Sequence, residues 1–96
     1  MADFPKSSRV ESLAVTYDAS ISASTEITLN TSTTRIEVCA IDKTVLLNWG
    51  TTDASTTVWD HAIPLNTVLS FDVPTGVTAV NFIEQAATAI LAVAEY

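Results

Sequence analysis

The side chains able to do chemistry in this chain are few. His61 is the only histidine and Cys39 the only cysteine, set beside eleven carboxylates. A Ser-His-Asp arrangement could be assembled on paper from His61, Asp60 or Asp72 and a serine. It needs a base oriented beside an activated hydroxyl, and nothing in the sequence specifies that. Asp60 and His61 are adjacent, so a strand carrying both turns them to opposite faces. His61 therefore reads as a surface or packing histidine. A zinc site needs several His and Cys ligands at workable spacing, and one of each, twenty-two residues apart, does not provide it. Calcium needs converging carboxylates, whereas these acids are scattered singly, mostly near turns. Phosphate cradles need glycine-rich loops, and the chain has two isolated glycines. The expectation is a protein that is not an enzyme and carries no metal and no cofactor.

Two tryptophans offer a different chemistry, stacking on a sugar ring. Trp49 follows the register of Val45 and Leu47, which favours a place in the core. Trp59 stands next to Asp60 in a polar stretch. A receptor- or carbohydrate-binding knob, with Trp49 or Trp59 beside Asp60 and Asn48, is the alternative function to weigh.

The elements that must position these residues are strands. Ninety-six residues make one domain, and a domain of that size buries only about two-thirds of its unfolded surface. The chain is 48% hydrophobic with a mean hydropathy of +0.34, and 16% charged. Fifteen Thr, nine Ser and only two Gly fit an all-β chain, since Thr tolerates both a wet and a half-buried strand face. Residues 33–50 form the centre. Ile36, Val38 and Ala40 alternate with Arg35, Glu37 and Cys39, Asp42-Lys43 makes a polar break, and Val45, Leu47 and Trp49 alternate with Leu46 and Asn48. Period-2 spacing around a short break predicts a β-hairpin.

Further strands are expected on either side. Over 10–17, Leu13, Val15 and Tyr17 are expected to face the core, with Ser12, Ala14 and Thr16 opposite. Over 21–30, Ile27 and Leu29 point inward. The Asn30-Thr31-Ser32 break matches a glycosylation sequon, taken as accidental without a secretory signal. Residues 51–57 are a polar loop and 58–62 a short strand, and Pro64 marks a strand end. Over 67–73, Leu69, Phe71 and Val73 alternate with Val68, Ser70 and Asp72. Pro74-Thr75-Gly76 is a turn in which Gly76 takes positive φ. Over 77–84, Val80 and Phe82 oppose Ala79, Asn81 and Ile83. Residues 85–96 are Ala-rich, which favours helix, but 88–96 are short and continuously apolar, as in a doubly buried strand. A strand paired with 77–83 is the expectation. The sum is an all-β fold of seven or eight strands over 10–96, a small antiparallel β-sandwich with a jelly-roll-like variant. Residues 1–9 read as an extended arm.

Net charge is −7. Two of the four cations, Lys6 and Arg9, sit in the first nine residues, and Arg35 and Lys43 are opposed by Glu37 and Asp42. Nucleic acid demands clustered Lys and Arg, and an anionic membrane surface asks for the same; neither is an expected partner. A single cysteine allows no intrachain disulfide. The first ten residues lack the apolar core of a signal peptide, and no stretch reaches the ~18 apolar residues of a membrane helix. The expected place of synthesis is the cytoplasm.

One feature goes beyond fold. Strands of a thin sandwich should carry one apolar and one polar face. Here the second faces add Cys39, Ile41 and Leu46 in the centre and Ile90, Ala92 and Ala94 near the end. Excess apolar surface of this kind predicts burial against another subunit, with Ile41, Leu46, Ile90 and Ala92 as interface candidates. The arm supplies a second set of contacts, Phe4 as an anchor with Lys6 and Arg9 beside it on an otherwise acidic chain.

The run from Thr33 to Glu84 also resembles a group of small virion proteins of tailed bacteriophages. The residues that carry the likeness are the aromatic-Gly pair Trp49-Gly50, the Thr/Ser-rich loop 51–57, the corner Ile63-Pro64-Leu65, the strand bearing Phe71, the turn Pro74-Thr75-Gly76 and an expected final hairpin over 77–95. The resemblance implies a β-sandwich that decorates or cements the capsid shell, commonly as a homotrimer. It further implies the major capsid protein as partner and the virion surface as location; on the reading of the arm, Phe4, Lys6 and Arg9 are then the expected capsid contacts.

Overall fold

The computed structural model describes residues 12–96. It is all-β. Eight strands run in the order β1 (Ala14–Asp18), β2 (Thr25–Thr28), β3 (Arg35–Ile41), β4 (Val45–Trp49), β5 (His61–Ile63), β6 (Thr67–Asp72), β7 (Ala79–Glu84) and β8 (Ile90–Glu95). They form two four-stranded sheets, β1-β8-β3-β6 and β2-β7-β4-β5, with every pairing antiparallel. Strand 1 pairs with 8, 2 with 7, 3 with 6 and 4 with 5. The first half of the chain is thus laid against the second half as one long ribbon. That ribbon is rolled so that β3 also meets β8 and β4 meets β7. A rolled ribbon of this connectivity is the jelly-roll form of the β-sandwich.

The core is the space between the sheets. Ile36, Val38 and Ala40 of β3 and Leu91 and Val93 of β8 face Val45 and Leu47 of β4, Val80 and Phe82 of β7 and Ile27 of β2, all buried. Leu69, Phe71 and Val73 pack against this cluster from the edge, as alternation predicts. Two carboxylates in the inward register close the ends. Glu95 accepts the Asn30 N–H and the Thr33 hydroxyl, each at 2.8 Å. Glu84 accepts the Ala89 N–H at 3.4 Å. Both are buried, and these bonds offset the cost of taking a carboxylate out of water. At the 74–77 turn, the Val77 N–H reaches the Pro74 carbonyl at 3.0 Å, with Gly76 at φ +84°. That is the left-handed third position of a type II turn.

Four expectations about the strands need correction. Residues 33–50 are not a hairpin: β3 and β4 lie in opposite sheets, face to face across the core. Their connection is a corner, with Asp42 at φ +73° and its N–H donated to Asn66 Oδ1 at 3.0 Å. Alternation fixes which side chains turn inward, and the inward set is the same for strands side by side or stacked, so it cannot decide between them. The segment after β7 is a strand as expected, but it pairs with β1 and β3, not with its predecessor. The strand expected over 58–62 is confined to His61–Ile63, with Val58 bridged to Ser55 instead.

The fourth correction concerns β1. Leu13, Val15 and Tyr17 point away from the core and are 47%, 69% and 64% exposed. Ala14, Thr16 and Asp18 take the inner side, opposite Glu95, Val93 and Leu91. An edge strand whose inner positions are small or polar contributes little to the core, and its apolar side is left on the outside.

Candidate functional site

The two outer faces of the sandwich are built differently. Over the β2-β7-β4-β5 sheet, the chain folds back on itself. Asn81 is fully buried there, donating to Glu26 Oε1 at 3.2 Å and the Gly50 carbonyl at 3.0 Å and accepting from the Ser24 hydroxyl at 3.0 Å. Ser24 Oγ in turn accepts the Ala54 N–H at 2.9 Å, and Asn48 Nδ2 donates to the Thr52 carbonyl at 3.2 Å. The 50–57 loop is thereby pinned down on this face and Ala54 is buried. A connected, fully bonded polar network of this kind closes a surface; it does not offer one.

The outer face of β1-β8-β3-β6 has no such cover among the described residues. The pairing register sets its rows. Tyr17, Ala92, Cys39 and Val68 stand side by side across all four strands. Val15, Ala94, Glu37 and Ser70 form the next row, and Ile90 and Ile41 the row on the other side. Ala92, Ala94 and Cys39 make a low floor, with Val15 on one side and Val68, 60% exposed, on the other. Between them runs a shallow open groove of about 170 Å³ that also touches Glu37. The charges on this face are at one end. Glu37 accepts from Arg35 Nη1 at 3.1 Å, the same nitrogen donates to Ser70 Oγ at 3.2 Å, and the Arg35 guanidinium lies 4.4 Å from the centre of the Tyr96 ring. A half-exposed pair of this kind contributes little to stability; Asp72, exposed on β6 opposite Arg35, adds a further carboxylate at the same end, and the floor itself carries no charge.

This face carries most of the exposed apolar surface of the described residues. Of the seven large apolar side chains that stand exposed among the described residues, Leu13, Val15, Tyr17 and Val68 belong to it. Each would gain up to about 1.5–3 kcal/mol on full burial.

The expected interface residues divide. Ile41, Ile90 and Ala92 come together on this face, half-buried, with Cys39 and Ala94. Leu46 does not. It lies on the outer side of the other sheet, next to Ile83 and Ala62 and one row from Asn48, and is 2% exposed. An interface role cannot use a side chain its own chain already buries. Phe4, Lys6 and Arg9, and the arm that carries them, lie outside the described residues. Val15, Tyr17 and Val68 were missed by sequence reasoning. Their alternation was visible, but for the first two it was assigned to the core.

The aromatic residues take other places. Trp49 is half-buried and meets His61 and Phe71 edge-on, at 6.5 and 6.2 Å between ring centres. His61 lies over Phe71 at 4.8 Å. The three close the seam between the sheet edges β5 and β6. Asp60 accepts the Trp49 N–H at 2.9 Å, so it is committed to the backbone. Trp59 is 46% exposed on the loop before β5. Comparison with known proteins returns nothing: no family model, no curated protein and no solved structure matches the chain.

Proposed function

We propose that this chain is a non-enzymatic structural protein that attaches to a larger protein assembly through the outer face of β1-β8-β3-β6. The observation that carries the reading is the asymmetry of the sandwich. One outer face is sealed by the Asn81 network and its loop, while the other presents an apolar row across all four strands with no unpaired charge on its floor. The likeness of residues 33–84 to small tailed-phage virion proteins supplies a setting, decoration or cementing of a capsid shell. In that setting the major capsid protein is the partner and the virion surface the location. Cementing needs no active site. Weak contacts repeated around a symmetric shell sum to strong attachment, because each binding event raises the effective concentration of the next.

The test is co-sedimentation of the purified chain with empty shells assembled from the major capsid protein encoded in the same genome. Saturable, stoichiometric binding is expected, lost in Val68→Glu. A chain that stays in the supernatant, and instead binds glycans through the exposed Trp59, would replace this reading with the carbohydrate-binding one.

A further inference from the structure

We infer that the open edge of β6 is a docking site for an extended segment of a partner protein, which joins the β1-β8-β3-β6 sheet as a further antiparallel strand and sets a basic residue opposite Asp72. This is a second contact surface. It lies at the side of the sheet, works through backbone groups, and does not depend on what covers the outer face.

The ladder on β3 identifies the backbone groups involved. Arg35 exchanges both of its backbone bonds with Tyr96, on the β8 side, at 3.1 and 2.8 Å. Thr34 accepts the Val73 N–H at 2.8 Å, on the β6 side. Bonded and non-bonded pairs alternate along an antiparallel ladder, so Phe71, Leu69 and Thr67 bond to Ile36, Val38 and Ala40. The N–H and C=O groups of Val68, Ser70 and Asp72 therefore point away from β3. Among the described residues no backbone bond from another segment reaches them. A row of donors and acceptors at every second residue is met in full by another extended chain.

The other sheet edges differ. β5 has three residues and is followed by Pro64. β2 has four, and its Glu26 is tied into the Asn81 network. β1 continues in sequence into residues 1–11, which lie outside the described residues. β6 has six residues, contains neither proline nor lysine, and keeps a continuous register with β3. Edge strands are ordinarily blunted by shortness, proline, lysine or a bulge, and β6 has none of these.

The side chains set the chemistry of the incoming strand. Its inward residues would lie beside Leu69 and Phe71, which are half-buried at the rim of the core, so apolar residues there complete their burial. On the outer side Asp72 is exposed. Arg35, opposite it, is bonded to Glu37 and Ser70, and no cation pairs with Asp72 among the described residues. Opposite charges directly across a ladder attract, so Lys or Arg is favoured at that position. Charge also separates this partner from a second copy. β6 itself holds no cation, so two β6 edges paired about Ser70 would leave both Asp72 carboxylates unmet.

The probe is a blocked synthetic peptide, Thr-Lys-Val-Thr-Val-Val-Thr. Laid antiparallel on β6, it places Lys opposite Asp72 and Val opposite Phe71 and Leu69. Amide NMR of the full chain should show saturable shifts centred on Val68, Ser70 and Asp72, with a Kd of about 0.1–1 mM. Hydrogen exchange of those three amides should slow in the complex. The same peptide N-methylated at the residues opposite Asp72, Ser70 and Val68 has lost its donors, and should bind at least about tenfold more weakly. Asp72→Lys, at an exposed position, should weaken the original peptide about threefold or more and strengthen one with Glu in place of Lys. Absence of saturable shifts up to about 5 mM overturns the inference. So does equal binding by the N-methylated peptide, or shifts confined to Cys39, Ala92 and Ala94 in the outer floor. Slow exchange at Val68, Ser70 and Asp72 without peptide also overturns it. If independent of concentration, it assigns the edge to the chain's own residues 1–11; if it grows with concentration, to a second copy. None of these outcomes bears on shell binding through the outer face, which Val68→Glu tests separately.

Discussion

Replacing Phe82 with alanine is expected to lower stability by about 3–5 kcal/mol. Among the described residues Phe82 is the largest fully buried side chain, at 0% exposure. It sits on β7 with Thr25 on one side and Leu47 on the other, facing the β1-β8-β3-β6 sheet. Its removal forfeits the transfer energy of a whole ring and leaves a cavity between two sheets that are each held in register by hydrogen bonds and cannot collapse into it. A domain of this size has about 5–15 kcal/mol in total, and each kcal/mol is worth about 4–8 °C. The midpoint of thermal unfolding should fall by roughly 15–30 °C. Val68→Ala provides the contrast. Val68 is likewise apolar but stands 60% exposed, so the change should stay within about 0.5 kcal/mol. Urea titration of both variants checks the pair. Equal losses would mean that the inside and outside of the sandwich have been assigned wrongly.

The second large effect lies at Asn81. Its amide donates twice and accepts once, all within a fully buried site. Asn81→Ala should cost about 2–3 kcal/mol, because the Gly50 carbonyl and the Ser24 hydroxyl lose their partner. Asn81→Asp keeps the shape and should cost more, at least about 3 kcal/mol. The donor that served Gly50 and Glu26 becomes an acceptor, so a carboxylate oxygen faces a carbonyl on one side and a second carboxylate on the other. Both variants should also raise the hydrogen-exchange rate of the Ala54 amide, which the network holds through Ser24 Oγ. If aspartate were tolerated better than alanine, the network would not be what pins the 50–57 loop, and the asymmetry of the two outer faces would lose its cause.

Much of this architecture is legible in the residues. The inward positions of β2, β3, β6 and β7 follow from alternation alone, because a strand half in a core must repeat every second residue. Gly76 marks its turn because only glycine takes positive φ without cost. The strand character of residues 90–95 follows from a run that is apolar on both faces, even though alanine favours helix. Which strands pair was not legible. A three-residue break such as 42–44 serves a hairpin and a sheet-to-sheet corner equally well, and the long-range partners of β3 are β6 and β8. The orientation of β1 was hidden for a related reason. Periodicity separates Leu13, Val15 and Tyr17 from their neighbours, yet says nothing about which set meets the core. The candidate site was half legible. The outward apolar residues of β3 and β8 were found, while Leu46 was misassigned because its cover is its own chain, a tertiary fact no local pattern carries.

Cys39 gives the most direct measure of the central claim, that the β1-β8-β3-β6 face is where this protein attaches. It is the only cysteine in the chain and stands half-exposed in the floor of that face. Its rate of alkylation by iodoacetamide therefore reports the cover over one defined point. In dilute solution the free chain should react freely. In the shell-bound state the rate should fall at least about tenfold, since the reagent needs an accessible thiolate. An unchanged rate in a preparation where binding is demonstrated would place the attachment elsewhere on the molecule and contradict the account.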